Sequence, residues 1–288
     1  LNSIMKLSKS NIVVILTLLF IFITALNAQK LELFNLKHLD YLSRIVERNH
    51  KKILLTYIYC EYPDYKLVDA VGEGIACIDD VGRAAIVYAK HFQFTGNKQS
   101  LQKVMYALNF ILQLQAKDGS FYNFFYKDLS INKKGKTSCK RIGFWSARAL
   151  WALSYGYSIF KDIDPEYSKR LQISINKAIK ATAEFLENNS NKKIVANKQI
   201  PKWMIIRGAD CWSIFLLGLC KFYKYNPDDN QKKLIVKIAD EIANFQFGSF
   251  NQYPFQAHLS WGGNPYLWHG WANRQTQSLC KAYEVIPK

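Results

Sequence analysis

The chain has no CxxC pair among its six cysteines, Cys60, Cys77, Cys139, Cys211, Cys220 and Cys280, and without that spacing a zinc ribbon is excluded. Six cysteines in 288 residues are also far too few for a disulfide scaffold. Cys211, Cys220 and Cys280 fall inside apolar helical stretches, where a free thiol packs as a small core residue. No metal site and no cofactor are expected.

Acidic residues are scarce, 22 against 39 Lys and Arg, for a formal net charge of +17. A nucleic-acid partner would normally follow from such a balance. The chain lacks an arginine-rich stripe, however, and its lysines are scattered over turns and outer faces, as in "NKKGK" (132–136) and "NSNKKIVANK" (189–198). Nucleic acid is therefore excluded, whereas an acidic polysaccharide or envelope surface fits the charge.

There is little to cross a membrane. The apolar run from Ile12 to Leu26 is about 15 residues where a spanning helix needs roughly 20. Lys6 and Lys9 precede it, and Ala28 offers a cleavage point before Gln29. The pattern is that of a secretory signal peptide over residues 1–28. The mature part, 29–288, is then a single secreted or periplasmic domain with no stable membrane span, and its charge is 17 − 2 = +15.

Convincing alternating strands are missing as well, and what is present instead is a helical repeat. Laying "IDDVGRAAIVYA" (78–89) over "GFWSARALWALS" (143–154) puts Arg83-Ala84-Ala85 on Arg148-Ala149-Leu150, an offset of 65. The same offset reaches "ADCWSIFLLGLC" (209–220), and a slightly shorter one reaches "HGWANRQTQSLC" (269–280). Each segment is apolar on nearly every side and so has to be buried on every side. Between them lie one-sided segments at 97–115, 164–188 and 229–247, preceded by another at about 36–52. Asp164-Pro165 and "TGN" (95–97) supply a helix start and a helix stop.

Inner helices alternating with outer ones predict an all-α fold, an (α/α) toroid of about four helical hairpins. Links from inner to outer helices are short. Those from outer to inner, 117–142, 189–207 and 248–268, are long and aromatic, and long ordered loops are usually functional. They all reach the N-terminal ends of the inner helices, where a cleft is expected.

Asp79 and Asp80 stand at one of those ends. They suit capping of the first inner helix, and Arg83 is spaced for an intrahelical ion pair. They equally suit chemistry, because the repeat puts Asp80 in register with Trp145, Asp210 and Trp271, so that two carboxylates and two indoles would ring one opening. Aromatic platforms beside carboxylates suit sugar rings, and glycoside hydrolysis needs two carboxyl groups, one protonated and one ionised. A helix N-terminus favours the ionised form. The candidate catalytic residues are Asp80, the preferred substrate contact, with Asp79 and Asp210. Candidate substrate-binding residues are Glu73, Arg83, Tyr122, Asn123, Trp145, Arg148, Trp212, Trp268, His269, Trp271 and Arg274.

The stretches "CIDDVGRAAIVYAKHF", "LQLQAKDGSFYNF" and "GFWSARALWALSYGY" resemble a bacterial and archaeal group of helical domains within the six-hairpin glycosidase-like superfamily. The group carries a C-x-D-D-x-x-R-A motif, and some members are attached to glycosyltransferases. The resemblance spans about residues 70–160 and implies an (α/α) toroid with carbohydrate chemistry. Six hairpins of that length would need roughly 390 residues, so the toroid is expected to be incomplete or the chain cut at its C-terminus. "QAKDGSF" (115–121) also resembles a terpenoid-cyclase signature, but Cys77 stands where the protonating acid cluster of those toroids needs another Asp. The expected function is that of a secreted carbohydrate-active protein, glycoside hydrolase-like, acting on or binding a polysaccharide or oligosaccharide. The alternatives are a non-catalytic glycan-binding or envelope-scaffold domain, a helical domain serving a partner enzyme, and a polysaccharide lyase acting on a uronic acid.

Overall fold

A helix that is apolar on every side is stable only if neighbours cover every side, and that demand shapes the molecule. The computed structural model describes residues 10–11, 13–19, 34–258 and 274–287. From residue 34 the helices are α1 (Lys37–Leu42), α2 (Ile78–Thr95), α3 (Lys98–Gln113), α4 (Phe144–Phe160), α5 (Pro165–Asn188), α6 (Lys202–Tyr223), α7 (Asp229–Asn244) and α8 (Gln275–Val285). The inner helices α2, α4, α6 and α8 pack in that order, each against the next, and α3, α5 and α7 each cover the inner helix before them. This is the hairpin layering of an (α/α) toroid. In α4, 13 of 17 residues are buried. Helix α8 departs from expectation, for only Gln275, Ser278 and Ala282 are buried in it, and Cys280 is exposed rather than packed.

The punctuation acts as its chemistry dictates. Gly96 ends α2 in the left-handed region, at φ 73°, and Asn97 Oδ1 caps α3 by accepting from Ser100 N. Asp164 caps α5 through Tyr167 N, with Pro165 in the first turn. The "QAKDGSF" stretch is a structural clasp: Gln115 bonds Ser174 through both ends of its amide, and Asp118 Oδ1 accepts from Ser120 N and Oγ.

The predicted outer helix at 36–52 is not formed as such. Only α1 is helical there; the chain then turns into the antiparallel pair β1 (Ser43–Arg48) and β2 (Lys51–Thr56). Asn49 and His50 both have positive φ, 51° and 55°, as a two-residue hairpin turn requires. Ile53, Leu54, Leu55 and Thr56 are all buried against the core, and that burial decides in favour of strand over helical spacing. The other strands form four more two-stranded antiparallel sheets: β3 (Tyr59–Glu61) with β4 (Lys66–Val68), β5 (Ala76–Cys77) with β6 (Phe124–Phe125), β7 (Lys192–Val195) with β8 (Lys198–Pro201), and β9 (Gln246–Ser249) with β10 (Gln252–His258). Three of these sheets, β5–β6, β7–β8 and β9–β10, take strands from the described parts of the long aromatic links.

Helix α6 is long and apolar enough to cross a membrane but is mostly buried inside the protein. Gly208 breaks it, with φ 79° and ψ 157°, a conformation only glycine adopts freely. The inner helix therefore restarts at Ala209 and places Asp210 in a fresh first turn.

Candidate active site

The N-terminal ends of α2, α4 and α6 and the start of α8 enclose a cavity of about 710 Å³, within the range of small-ligand sites. Asp79, Arg83, Arg148, Asp210 and Arg274 bring charge to it, Glu73 and Asn123 join from the loops, and Phe144, Trp145 and Trp151 give it aromatic walls. Of the three long links, the one at 117–142 contributes to this lining among the described residues, through Asn123, Phe124 and Thr137.

Asp79 is in the first turn of α2. Its Oδ1 accepts from Arg148 Nη1 in an ion pair across to α4, and its Oδ2 accepts from Asn123 Nδ2 at 3.0 Å. Gly82 permits the meeting, since a Cβ there would stand 3.3 Å from the Arg148 carbonyl oxygen. Asp80 is turned elsewhere: Arg83 Nη2 and the Cys77 thiol, at 3.2 Å, donate to its two oxygens. Burial, followed by the two carboxylates, pushes the Cys77 thiol well above its ordinary value, so Cys77 stays a donor. Two expectations need correction here. The N-cap of α2 is Cys77 with no side-chain cap, so neither aspartate is the cap. It is also Asp79, not Asp80, that lines the cavity, because successive helical residues project about 100° apart.

Asp210 is 4% exposed and accepts from the amide of Cys211 at 2.9 Å. Burial raises its pKa from 3.8 to about 7, against the opposing pull of that amide and the Arg148 charge. The repeat accounts for this. Three residues after Asp80, Trp145 and Asp210 come Arg83, Arg148 and Ser213. Asp80 has Arg83 on its own helix. Arg148 has Trp145 and Phe144 where an intrahelical acid would stand, and reaches back to Asp79. Asp210 has only Ser213, whose hydroxyl donates to Ala209 O, and Arg207 lies beyond the break at Gly208, so no guanidinium of the restarted helix offsets the burial.

The aromatic wall is pinned from behind. Trp145 Nε1 donates to Phe121 O at 2.7 Å, and the Arg141 guanidinium lies 4.5 Å from the Trp145 ring centroid. Arg274 begins α8 and places its guanidinium 5.6 Å from the Trp151 ring centroid. Glu73 accepts from the Thr137 hydroxyl, and its carbonyl accepts from Asn132 Nδ2 at 2.8 Å.

The structure thus gathers Asp79, Asp210, Glu73, Arg83, Asn123, Trp145, Arg148 and Arg274 in one cavity. Tyr122 does not line it and packs on the core. Trp212 is fully buried, stacked on Phe215 at 5.0 Å and edge-on to Trp203, and its Nε1 donates to Trp203 O; it holds the core and is not a sugar platform. Trp268, His269 and Trp271 lie outside the described residues. Sequence reasoning missed Phe144 and Trp151, yet they stand four residues before and three after Arg148, on its face of the helix. Among the described residues no three His, Cys, Asp or Glu side chains converge as metal ligands.

No family model matches the sequence, and no curated protein matches it. Solved structures do resemble it. An α-mannanase of glycoside hydrolase family 76 from Bacteroides thetaiotaomicron superposes with a TM-score of 0.52 at 15% identity, over 87% of this chain and 61% of that one. A family 76 mannosidase of the same species gives 0.48 at 15% identity, over 75% and 60%, and a family 9 glycoside hydrolase of Bacteroides ovatus gives 0.45 at 13%, over 88% and 51%. The chain spans about three fifths of the length of the α-mannanase. What is shared with that α-mannanase is the toroid fold.

Proposed function

We propose that the chain is a carbohydrate-active enzyme of the glycoside hydrolase type, with Asp210 as the proton donor and Asp79 as the second carboxyl group. The observation that carries this reading is the pairing, in one cavity, of a buried carboxyl that keeps its proton to about pH 7 with a carboxylate held by a guanidinium. Glycosidic cleavage needs that division between a carboxylic acid and a carboxylate. Phe144, Trp145 and Trp151 give the cavity an apolar wall against which a sugar can pack, and the α-mannanase with the same fold makes α-mannan the first polysaccharide to assay.

Export belongs to the same reading. Lys6, Lys9, the apolar run from Ile12 and Ala28 before Gln29 form a leader whose removal gives a mature chain beginning at Gln29; N-terminal sequencing of secreted or periplasmic protein tests it.

The function is tested by reducing-sugar release from α-mannan and a panel of neutral and acidic polysaccharides, with Asp210→Asn and Asp79→Asn in parallel. Release by the wild type and its loss in both variants supports the enzyme. Glycan binding that persists without release in the wild type refutes the hydrolase and leaves a binding domain, for which the Asp79–Arg148 ion pair would be a fixed polar floor.

A further inference from the structure

The three arginines that line the cavity are not equally provided for. Arg83 has Asp80 and Arg148 has Asp79. Arg274 is bonded through Nη1 to the neutral Gln277 Oε1 at 2.7 Å, and no carboxylate among the described residues pairs with it. Residues 259–273, which lead into it, contain no Asp or Glu in sequence.

The repeat explains how this comes about. Arg148 and Arg274 are equivalent positions, each following a Trp by three residues, Trp145 and Trp271. Arg148 is satisfied by the acid at position 79 of the preceding inner helix. The equivalent of Asp79 in α6, the inner helix preceding Arg274, is Ala209, which has no charge to give. A cavity-lining guanidinium therefore stands without the carboxylate that its repeat counterpart Arg148 has.

From this we infer that Arg274 is an anion subsite of the cleft, and that the substrate is a glycan bearing an anionic oxygen substituent: a uronate carboxylate, or a sulfate or phosphate ester. The geometry suits that task. With its guanidinium held over the Trp151 ring and Nη1 on Gln277 Oε1, the side chain is oriented, and Nε and Nη2 are the donors that would meet two oxygens at once. The neighbouring Asp210, protonated to about pH 7, adds little repulsion, and the overall charge of +17 draws a polyanion toward the cleft. The inference rests on the glycan-active reading and specifies its substrate class.

The test measures binding by calorimetry, and product release, with oligogalacturonides, a sulfated galactan, a phosphomannan and unsubstituted mannan, on wild type, Arg274→Gln and Arg274→Lys. Arg274→Gln, verified as folded by its melting temperature, is expected to weaken an anionic glycan by about 10- to 100-fold more than it weakens unsubstituted mannan. Arg274→Lys is expected to recover part of the loss, and rising salt to weaken only the anionic glycans. Which of the three anionic probes binds identifies the substituent. Should the wild type bind only unsubstituted mannan, or should Arg274→Gln affect neutral and anionic glycans alike, the anion subsite is overturned while the glycan reading stands. If no glycan binds, both fall.

Discussion

Replacing Asp210 with asparagine should stabilise the protein above neutral pH while removing its activity. The buried carboxyl has its pKa raised from 3.8 to about 7, so the folded state holds a proton that the unfolded chain has released over that window. Stability then falls as pH rises from about 4 to about 7 and levels off above, because the folded state binds more protons than the unfolded one. At 1.36 kcal/mol per unit, the full cost of ionising Asp210 in place is about 4 kcal/mol. Asparagine keeps the Oδ1 that accepts from the Cys211 amide and never ionises, so it avoids that cost. The melting temperatures of Asp210→Asn and wild type should be close at pH 4 and diverge up to pH 8, with the variant higher by about 8 °C at roughly 2 °C per kcal/mol. Thermal denaturation across that range, beside a reducing-sugar assay, gives both readouts. A gap that stays constant with pH, or a variant that melts lower at pH 8, would mean that Asp210 is already ionised in the fold and cannot be the acid.

Three further substitutions separate the roles of the residues around it. Arg148→Gln should cost about 2 kcal/mol by stranding the part-buried Asp79, and it should move the alkaline limb of the pH–rate profile upward, since the Arg148 charge lowers the Asp210 pKa; an unmoved limb rejects the coupling. Asp80→Asn breaks only a pair whose Arg83 side chain is 55% exposed, so it should cost less than about 1 kcal/mol with turnover retained, whereas Asp79→Asn should abolish turnover. Trp212→Ala should lose about 3–5 kcal/mol in urea unfolding with KM unchanged, and a KM effect at full stability would return Trp212 to the cleft.

The layering was legible because burial on all sides leaves a compositional trace. α4 and α6 are apolar at nearly every position, α2 is so from Val81 to Ala89 apart from Arg83, and the 65-residue offset superimposes them. The start of the inner part of α6 at Ala209 followed from the same pattern. The hairpin at 43–56 was not legible: the spacing of Leu39, Leu42, Ile45 and Val46 is helical on paper, and the contact of Ile53 to Thr56 with the core, which overrides it, is a tertiary fact.

At the site, the repeat register identified which positions lie at the opening but not which way each is turned, and the difference between Asp79 and Asp80 turns on that. Both were visible as a pair. Their separation into one cavity-facing and one lateral carboxylate depends on which arginine each meets, Arg83 on the same helix or Arg148 on the next. The sequence holds the rule in a form that only the assembled ring makes readable: a helix with an acid and, three residues on, an arginine closes its pair on itself, as in α2; a helix with the arginine alone reaches back across the ring, as in α4; and an acid with no arginine after it, and with Arg207 cut off by the break at Gly208, keeps a carboxyl that burial protonates, as in α6. Arg274 completes the series as an arginine whose neighbour offers Ala209. The chemistry assigned to this cleft thus arises where the repeat departs from itself, at Trp145, Ser213 and Ala209, three buried positions whose identity decides which carboxyl keeps a guanidinium and which does not.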